Sequence, residues 1–457
     1  MLTNCQINNF KLTRQIGSGA YGLVFHAVDL ITENEYAIKA VVKNGASREI
    51  KQATMLQTQL YYYFKSFQNR LYLPAIALDS IISLTEEQLQ RAPHYRELAL
   101  HLQVHAHPNV VTVHQVLESP LATFLVLDYC ERDLFTSIVD HQHFSNDGAL
   151  VKRVFLQLCS VLQHCHARGV YHCDIKPENI LLDAHDNIYL CDFGLSTRAE
   201  KLPANVSLGS SYYMAPERLS CPSSLQVDGS APATVLFPTW AGDVWSLGII
   251  LINLTCIRNP WLKAHQLEDN TFSYFVRDPK VLQKILPVSE QLFGILKDIL
   301  QLDPVAREPL PSIMDRVSAC TSFTVSGPLS HVAPLSDPEI HNYLTNYRGL
   351  TIQQMLHNYH SDEDLSRFDN DTEATSEDDC SYQQRFGKAR SSETKQSREQ
   401  RSNETPYQDH QQNTLNPKSF NTNLATGLPI EFGLNVLTKN MSVVTNYSAD
   451  SRWQPQC

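Results

Sequence analysis

The alternation of hydrophobic and polar positions predicts strands at the start of the chain and helices further along. Residues 10–42 read FKLTRQIGSGAYGLVFHAVDLITENEYAIKAVV, and their period of two predicts three short antiparallel strands, with turns at the glycine cluster and at residues 32–35. Residues 123–129, TFLVLDY, predict another buried strand. Residues 148–168 and 241–257 instead show long helical patterns. This order indicates a small β-rich lobe followed by a large helical lobe.

Two stretches depart from this order. Residues 43–93 are too apolar and aromatic for a flexible linker, so we expect them to form a partly helical, docked insert. After about residue 325 the chain turns to Asp, Glu, Ser, Gln and Asn, with few large aliphatic side chains. Such a composition cannot bury enough apolar surface to offset the entropy of the chain. We therefore expect a mainly disordered, acidic and polar tail over residues 326–457.

The charge balance excludes two classes of partner. The 457 residues carry a formal charge of −11, and 42% of them are hydrophobic, enough for a sizeable core. Residues 361–379 hold nine acidic side chains and one arginine, a local charge of −8 that leaves the remainder near −3. This distribution offers neither a basic footprint for nucleic acid nor a polybasic patch for a membrane surface.

The cysteines and the apolar runs predict an intracellular protein, in the cytoplasm, the nucleus or both. The eleven cysteines include no CxxC pair, and no N-terminal segment joins positive charge to an apolar run, which argues against secretion. Residues 246–257, SLGIILINLTCI, form the longest nearly apolar run, which is too short to span a membrane. We expect a buried helix there and no membrane span.

Three glycines carry the first candidate chemistry. Gly17, Gly19 and Gly22 in IGSGAYGLV have GxGxxG spacing, which lets backbone amides approach phosphate groups. The same spacing suits a dinucleotide-binding turn or a tight hairpin, but here a strand pattern follows the glycines instead of a helix. In the strand EYAIKAVV, Lys39 would point to the same side as Ala37 and reach nucleotide phosphates, unless it is a surface lysine.

Six motifs together resemble those of eukaryotic protein kinases. GSGAYGLV, YAIK, HCDIKPEN, CDFG, YMAPE and GDVWSLG occur in the order found in that family. FTSIVDHQHF, YHCDIKPENILL, GSSYYMAPER and INLTCIRNPW further resemble the fungal Ran-like serine/threonine kinases, in particular the nutrient-response suppressor-kinase branch of budding yeasts. The resemblance spans residues 8–325. It implies an α+β bilobal kinase fold, with a small lobe over 8–127 that contains the insert, a large lobe over 131–325, and the tail outside.

The segment HCDIKPEN contains the residues on which phosphoryl transfer from ATP would depend. Because the reaction needs little covalent help from the protein, a carboxylate must orient the attacking hydroxyl while cations gather the charge of the nucleotide. Asp174 suits the role of base, and Lys176 can neutralise the phosphoryl group in transfer. Asn179 and Asp192 offer oxygen ligands to Mg²⁺.

The resemblance also implies a partner for Lys39 and a pocket for ATP. Glu97 is expected to pair with Lys39, and it is preferred to Glu49 because HPN follows at 107–109, about the family distance. Adenine is expected between Val24 and Ala37 above and Leu181 below. The complete set of expected nucleotide contacts is Ile16, Gly17, Gly19, Gly22, Val24, Ala37, Lys39, Leu127, Asp128, Cys130, Asp133 and Leu181.

The chain departs from the family pattern at Cys173, where most such kinases carry an arginine that grips a phosphate on the activation segment. Cysteine cannot make charge-assisted, bidentate bonds to phosphate. The sequence therefore predicts activity without activation-segment phosphorylation, although Ser207, Ser210 and Ser211 lie in that segment. Ser210 matches a position close to the catalytic aspartate.

Three further residues are implied to brace the large lobe. Glu217 and Arg307 resemble the family's buried ion pair, and Asp243 resembles the helix carboxylate that holds the catalytic loop.

Two functions from different classes follow. The first is a non-specific protein serine/threonine kinase that uses MgATP, acts on protein Ser or Thr hydroxyls, and serves nutrient (glucose) response or the choice between growth and differentiation. The second is a pseudokinase scaffold that binds partners through the insert and the tail without catalysis. The acidic tail is a candidate docking segment for regulatory partners under either reading.

Overall fold

A computed structural model describes residues 2, 4–19, 22–43, 51–204, 209–219 and 235–345. The predicted tail beyond residue 345 lies outside this part of the chain, as do Glu49 and Ser207.

The central strands of the small lobe are those predicted from residues 10–42. The strands are β1 (Gln6–Ile7), β2 (Phe10–Gly19), β3 (Gly22–Asp29), β4 (Glu35–Val42), β5 (Arg70–Leu71), β6 (Ala75–Ile76), β7 (Val113–Glu118) and β8 (Ala122–Asp128). Within the described ranges they form one sheet in the order β5-β1-β2-β3-β4-β8-β7-β6, in which only β1 and β5 pair in parallel. Alternation buries Leu23, Phe25 and Ala27 of β3 on one face and turns Val24 to the other.

The insert packs on both faces of this sheet. Its helices are α1 (Lys51–Ser66), α2 (Leu78–Ile82) and α3 (Glu86–Arg91), and they are followed by α4 (Arg96–Val104). Leu56, Leu60 and Phe64 lie at helical spacing on α1, and they join the core that contains Leu23 and Phe25. On the other face, α2 and α3 share a core with α4 and with Leu125 of β8. Over residues 51–93 the insert is thus partly helical and docked, as predicted, and it supports the helix that carries Glu97.

The large lobe is mainly helical. In chain order its elements are β9 (Arg132–Asp133), α5 (Leu134–Val139), α6 (Gly148–Ala167), β10 (Ile180–Leu182), β11 (Ile188–Leu190), β12 (Lys201–Pro203), α7 (Pro216–Leu219), β13 (Leu236–Pro238), α8 (Thr239–Cys256), α9 (Asn270–Arg277), α10 (Val281–Ile285), α11 (Glu290–Ile299), α12 (Leu310–Ala319) and α13 (Asp337–Thr345). Strands β9, β10 and β11 form a small antiparallel sheet, and β12 pairs with β13.

Helix α8 contains the apolar run noted in the sequence. Within the described ranges it is the one helix long and apolar enough to cross a membrane, and 89% of it is buried inside the fold. Trp245 and Leu247 are fully buried in the core of the large lobe. This is the environment of a core helix, in agreement with the prediction of a buried helix.

The folded lobe extends past residue 325, where the sequence predicted the tail to begin. Leu329 and Val332 are buried, and a short helical turn (Pro328–Ser330) and α13 follow α12. The fully buried Lys152 of α6 donates to the Ser318 carbonyl at 3.0 Å and to the Ala333 carbonyl at 2.7 Å. The described residues 326–345 therefore belong to the folded lobe and not to the predicted tail, because composition does not reveal that the buried Lys152 takes a backbone carbonyl from this segment.

Candidate active site

The glycine-bearing hairpin of β2 and β3 has one position that only glycine can occupy. Gly22 has φ +153°, and a Cβ there would lie 2.0 Å from the Ala40 carbonyl oxygen of β4. Gly17 pairs with Val24, and Gly19 pairs with Gly22. Close packing on β4 thus explains why residue 22 is a glycine. Gly17 and Gly19 lie on the opposing strand of the hairpin.

Lys39 is shared between two carboxylates. Its Nζ donates to Glu97 Oε1 at 2.5 Å and to Asp192 Oδ1 at 3.0 Å. The side chains of Lys39 and Glu97 are only 12% and 13% exposed. Burial alone would lower the pKa of Lys39, but Asp192 and Glu97 raise it above its usual value. Burial would raise the pKa of Asp192, and Lys39 holds it below its usual value. At neutral pH the group therefore holds a charged lysine beside an ionised Asp192.

The catalytic loop forms a second group of polar contacts around Asp174. Lys176 Nζ donates to Asp174 Oδ2 at 2.6 Å. Asn179 Nδ2 donates to the carbonyl and to Oδ2 of Asp174, at 2.8 and 3.1 Å. With its NH₂ group so engaged, Asn179 presents its amide oxygen as the remaining ligand atom. The spacing of HCDIKPEN thus places a carboxylate, a cation and an amide around one point.

The activation segment approaches Asp174 closely at Ser210 and at Gly209, and the sequence reasoning missed Gly209. The Ser210 amide donates to Asp174 Oδ1 at 3.1 Å. Gly209 has φ +97°, and a Cβ there would lie 2.8 Å from both Asp174 Oδ1 and the Cys173 carbonyl oxygen. A larger residue at 209 would push the segment away from Asp174. The signal in the sequence was the glycine directly before Ser210.

Asp243 of α8 holds the catalytic loop from below. Its carboxylate accepts the amides of His172 at 2.9 Å and Cys173 at 2.8 Å, and it lies 2.8 Å from His166 Nε2. Burial would raise the pKa of Asp243, but the hydrogen bond and charge of His166 bring it below its usual value. Cys173 adopts φ +64°, an unusual conformation for a residue other than glycine. The bonds to Asp243 are what keep the loop in this shape.

Phe193 links the metal-ligand candidate Asp192 to the Glu97 helix. Its ring is fully buried and lies 4.8 Å from the ring of His101 and 5.0 Å from that of His172. His101 is on α4, four residues after Glu97, and its Nε2 is 2.7 Å from the Val111 carbonyl oxygen. Burial lowers the pKa of His101 to about 4, so this imidazole is neutral. Sequence reasoning missed His101, because nothing local distinguishes it from the apolar residues of its helix.

The expected nucleotide contacts meet where the two lobes join. Strand register puts Val24, Ala37, Lys39 and Leu127 on one face of the sheet, since Val24 pairs with Lys39 and Ala37 pairs with Leu127. Leu181 of β10 is half-buried and pairs with Asp133. The remaining contacts are Ile16, which is 38% exposed on β2, and Asp128 and Cys130, at and just after the end of β8.

Two of these aspartates have their carboxylates engaged within the protein. Asp128 accepts from the Thr112 amide at 2.8 Å, and its Oδ1 lies 2.7 Å from His114 Nε2. These contacts involve the carboxylate of Asp128 and not the backbone groups that the resemblance to kinases implies for adenine. Asp133 Oδ1 caps α5 by accepting from the Thr136 amide at 2.6 Å.

The Glu217 and Arg307 side chains form a buried, bidentate ion pair in the large lobe. The two guanidinium nitrogens donate to the two carboxylate oxygens, both at 2.7 Å. Arg307 also donates to the Ala241 carbonyl at 2.7 Å, and it lies over the ring of Trp245 at 4.9 Å from the centroid. This pair braces α7 against α8, away from Lys39.

The donor set of the site suits a hard divalent cation. Within the described ranges no group of three or more His, Cys, Asp and Glu side chains could hold a metal ion by itself. Asp192 and Asn179 offer a carboxylate and an amide oxygen, the atoms that Mg²⁺ prefers when water and phosphate oxygens complete its shell. The residues present thus fit Mg²⁺ bound together with a phosphate-bearing substrate.

The fold and these contacts define a protein kinase, and the family comparison agrees. The family model described as protein kinase domain matches residues 75–317, more than half of the chain. The chain belongs to the protein kinase family. The match begins after β4, so the described structure is what connects the glycine hairpin and Lys39 to that domain.

Curated relatives place the chain among serine/threonine kinases. It is 55% identical over 374 residues to serine/threonine-protein kinase SKS1 of Saccharomyces cerevisiae, covering 78% of this chain and 74% of that protein. It is 53% identical over 347 residues to serine/threonine-protein kinase VHS1 of the same yeast, covering 74% and 75%. A third relative is the negative regulator of sexual conjugation and meiosis of Schizosaccharomyces pombe, 37% identical over 69% of this chain and 61% of that protein. These matches support the branch inferred from the sequence motifs.

Proposed function

We propose that this protein is an active kinase that transfers the γ-phosphoryl group of MgATP to serine and threonine hydroxyls of protein substrates. The observation that supports this proposal is the double contact of Lys39, whose Nζ bonds both Glu97 and Asp192. Glu97 lies 58 residues from Lys39 in the chain and Asp192 lies 153 residues away. A fold that brings three charged groups together over such separations matches the demands of phosphoryl transfer.

The proposed roles follow from the contacts of each side chain. Asp174 orients the attacking hydroxyl and accepts its proton as the new oxygen–phosphorus bond forms and the bond to the bridging oxygen of the leaving ADP breaks. Lys176, which already contacts Asp174, neutralises charge on the phosphoryl group. Lys39 holds the nucleotide phosphates, and Glu97 keeps Lys39 in place.

Two residues are proposed to hold the metal. Asn179 and Asp192 supply oxygen ligands to Mg²⁺. When bound, the ion supplies charge neutralisation at the phosphate oxygens. Asp192 is suited to this role because its ionised form is stabilised by Lys39.

Basal activity is proposed not to need phosphate on the activation segment. Cys173 offers no guanidinium to a phosphate, and its thiol is neutral because burial raises its pKa. The conformation of its loop is instead maintained by the carboxylate of Asp243.

The cellular role is proposed from resemblance and from the name of one relative. The resemblance to the nutrient-response branch favours a role in glucose response or in the choice between growth and differentiation. The name of the fission-yeast relative, a regulator of conjugation and meiosis, fits the second of these. We further propose an intracellular location, cytoplasmic or nuclear. We also propose that the kinase domain begins near residue 8 and that regulatory partners bind the tail.

One experiment tests both the catalysis and its independence of phosphate. The full chain is treated with phosphatase, freed of it, and assayed with MgATP and a degenerate peptide library beside Asp192→Ala. We expect phosphate transfer to Ser and Thr that requires Mg²⁺ and falls by about 10³-fold in Asp192→Ala, because a carboxylate proposed to hold the metal is lost.

Two other outcomes would change the proposal. Activity that appears only after the protein is phosphorylated again would contradict the independence of phosphate. A folded wild-type protein without Mg²⁺-dependent turnover in either state would favour the pseudokinase scaffold.

A further inference from the structure

The activation segment is joined to the start of α8 by backbone hydrogen bonds. Strand β12 pairs with β13 in the register Lys201 with Pro238 and Pro203 with Leu236. The Thr239 amide and hydroxyl donate to the carbonyls of Glu200 and Ala199, at 2.9 and 2.5 Å. These contacts attach the segment to the helix that also holds the catalytic loop through Asp243.

Arg218 of α7 lies where these elements meet. It is only 6% exposed, and it donates to the Pro203 carbonyl at 3.4 Å and the Pro238 carbonyl at 3.3 Å. It thereby bridges the end of β12 and the end of β13. A guanidinium presents a rigid fork of donors, so one side chain can serve two carbonyls at once.

The charge of Arg218 has no carboxylate of its own among the residues that the structure describes. Glu217 is adjacent in sequence, but both of its oxygens accept from Arg307. Burial lowers the pKa of Arg218, while Glu217 and Asp243 are near enough to favour its charge. The contacts of Asp243 are nevertheless to the catalytic loop and to His166. A buried arginine whose donors bond two backbone carbonyls holds those two backbone segments in position.

Arg218 also borders the catalytic loop at the position that departs from the family pattern. A cavity of about 20 Å³ is lined by Cys173, Arg218, Thr239 and Asp243. That volume holds about one water molecule. The one cation among the residues that line it is Arg218.

We propose that Arg218 is a positioning residue for phosphoryl transfer. It clamps β12 to β13 beside Cys173, and so keeps the activation segment in place for the protein substrate without a phosphate. This inference rests on the proposed phosphate-independent kinase activity and gives it a structural cause. Arg218 does not touch the reacting atoms, and it acts through the segment that brings Gly209 and Ser210 against Asp174.

The test compares Arg218→Met and Arg218→Lys in the full, phosphatase-treated chain. We expect Arg218→Met to lower kcat/KM for peptide by roughly 10- to 100-fold, mainly through a higher peptide KM, because the segment loses its alignment. The KM for ATP should change little, and amide exchange at residues 199–204 should accelerate. Arg218→Lys keeps the charge but not the fork, and should give intermediate values. Arg277→Met, at an exposed arginine of α9, is the matched control.

Each result bears on the inference separately from the proposed function. Wild-type protein that is silent until phosphorylated refutes the phosphate independence, and the inference with it. Active wild-type protein together with an Arg218→Met variant that matches Arg277→Met in peptide KM and exchange refutes the role of Arg218 alone. An equal rise in both KM values without faster exchange at 199–204 also overturns it. If Arg218→Met does not fold, Arg218→Lys and Arg218→Gln are judged by the same readouts.

Discussion

Each lobe buries a glutamate against a cation, and the two ion pairs differ in how many hydrogen bonds they complete. In the large lobe Arg307 and Glu217 are 0% and 4% exposed and are joined by two bonds. In the small lobe Lys39 makes one hydrogen bond to Glu97 and a second one to Asp192.

This difference shows which pair is structural and which serves a ligand. Arg307 also bonds the Ala241 carbonyl and lies on Trp245, so few of its donors remain for anything else. The ammonium of Lys39 has three donors and makes two of these bonds, on a face of the sheet shared with Val24 and Ala37. The hydrogen-bond donors that the cation does not use within the protein therefore indicate the role of a buried ion pair better than the pairing itself.

The largest effect is expected from Glu217→Gln. The substitution leaves Arg307 buried without its carboxylate, and loss of one partner of a buried pair costs about 3–5 kcal/mol. The urea midpoint of unfolding should fall accordingly, while kcat per folded molecule at low temperature changes little. Glu87→Gln, in the exposed pair with Arg91, is the control, and about 0.5 kcal/mol or less is expected there. A Glu217→Gln midpoint equal to that control would show that the large-lobe pair does not brace the fold.

The same substitution at Glu97 should act on catalysis instead. Glu97→Gln leaves Lys39 bonded to Asp192 but removes the charge that directs it, and the loss of one positioned electrostatic group lowers kcat by about 10²- to 10³-fold. The free energy of unfolding should change by only about 1 kcal/mol, as for a single hydrogen bond. Steady-state kinetics and urea titration of one preparation measure both quantities. Unchanged kcat with a large loss of stability would remove the distinction between the two pairs.

The effect that is smallest at neutral pH concerns the response of stability to acid, and it arises from His101 on α4. His101 has a pKa of about 4 in the fold because burial disfavours its charged form, while an unfolded histidine titrates near 6.5. As the pH falls from 6.5 towards 4, His101 takes up a proton in the unfolded chain but not in the folded protein. The contribution of His101 to stability is thus complete above pH 6.5 and is lost as the pH falls, by up to about 1.4 kcal/mol per pH unit.

Removing this imidazole should reduce the acid sensitivity. His101→Gln keeps a donor for the Val111 carbonyl but cannot titrate, so unfolding free energies between pH 7 and 4 should decline less steeply than in the wild type. His141→Gln, at an exposed position, is the control. Identical slopes in His101→Gln and the wild type would mean that the pKa of His101 is the same in the folded and unfolded protein.

Much of the candidate site was predictable from the sequence, because its chemistry requires fixed local spacing. The intervals between Asp174, Lys176 and Asn179 are short, and the loop brings these side chains within hydrogen-bonding distance. The strands over residues 10–42 were predictable for a similar reason, because hydrophobic and polar residues that alternate with a period of two are typical of a strand. The same holds for the departure at Cys173, which needs no structure to be seen.

Tertiary packing decided the features that depend on distant segments. Composition could not show that residues 326–345 supply a carbonyl to Lys152, or that the insert adds β5 and β6 to the sheet. Neither of the close approaches that require Gly22 and Gly209 involves a neighbour in sequence.

The sequence by itself determined which groups take part, since residue type and local spacing set the available chemistry. The tertiary structure decided which of them meet. The contact of Lys39 with Asp192, the stacking of His101 on Phe193 and the bridge of Arg218 between β12 and β13 all join parts of the chain that lie far apart in sequence. Such contacts form only when burial of the surrounding apolar surface brings the elements together, and no local pattern in the chain encodes that packing.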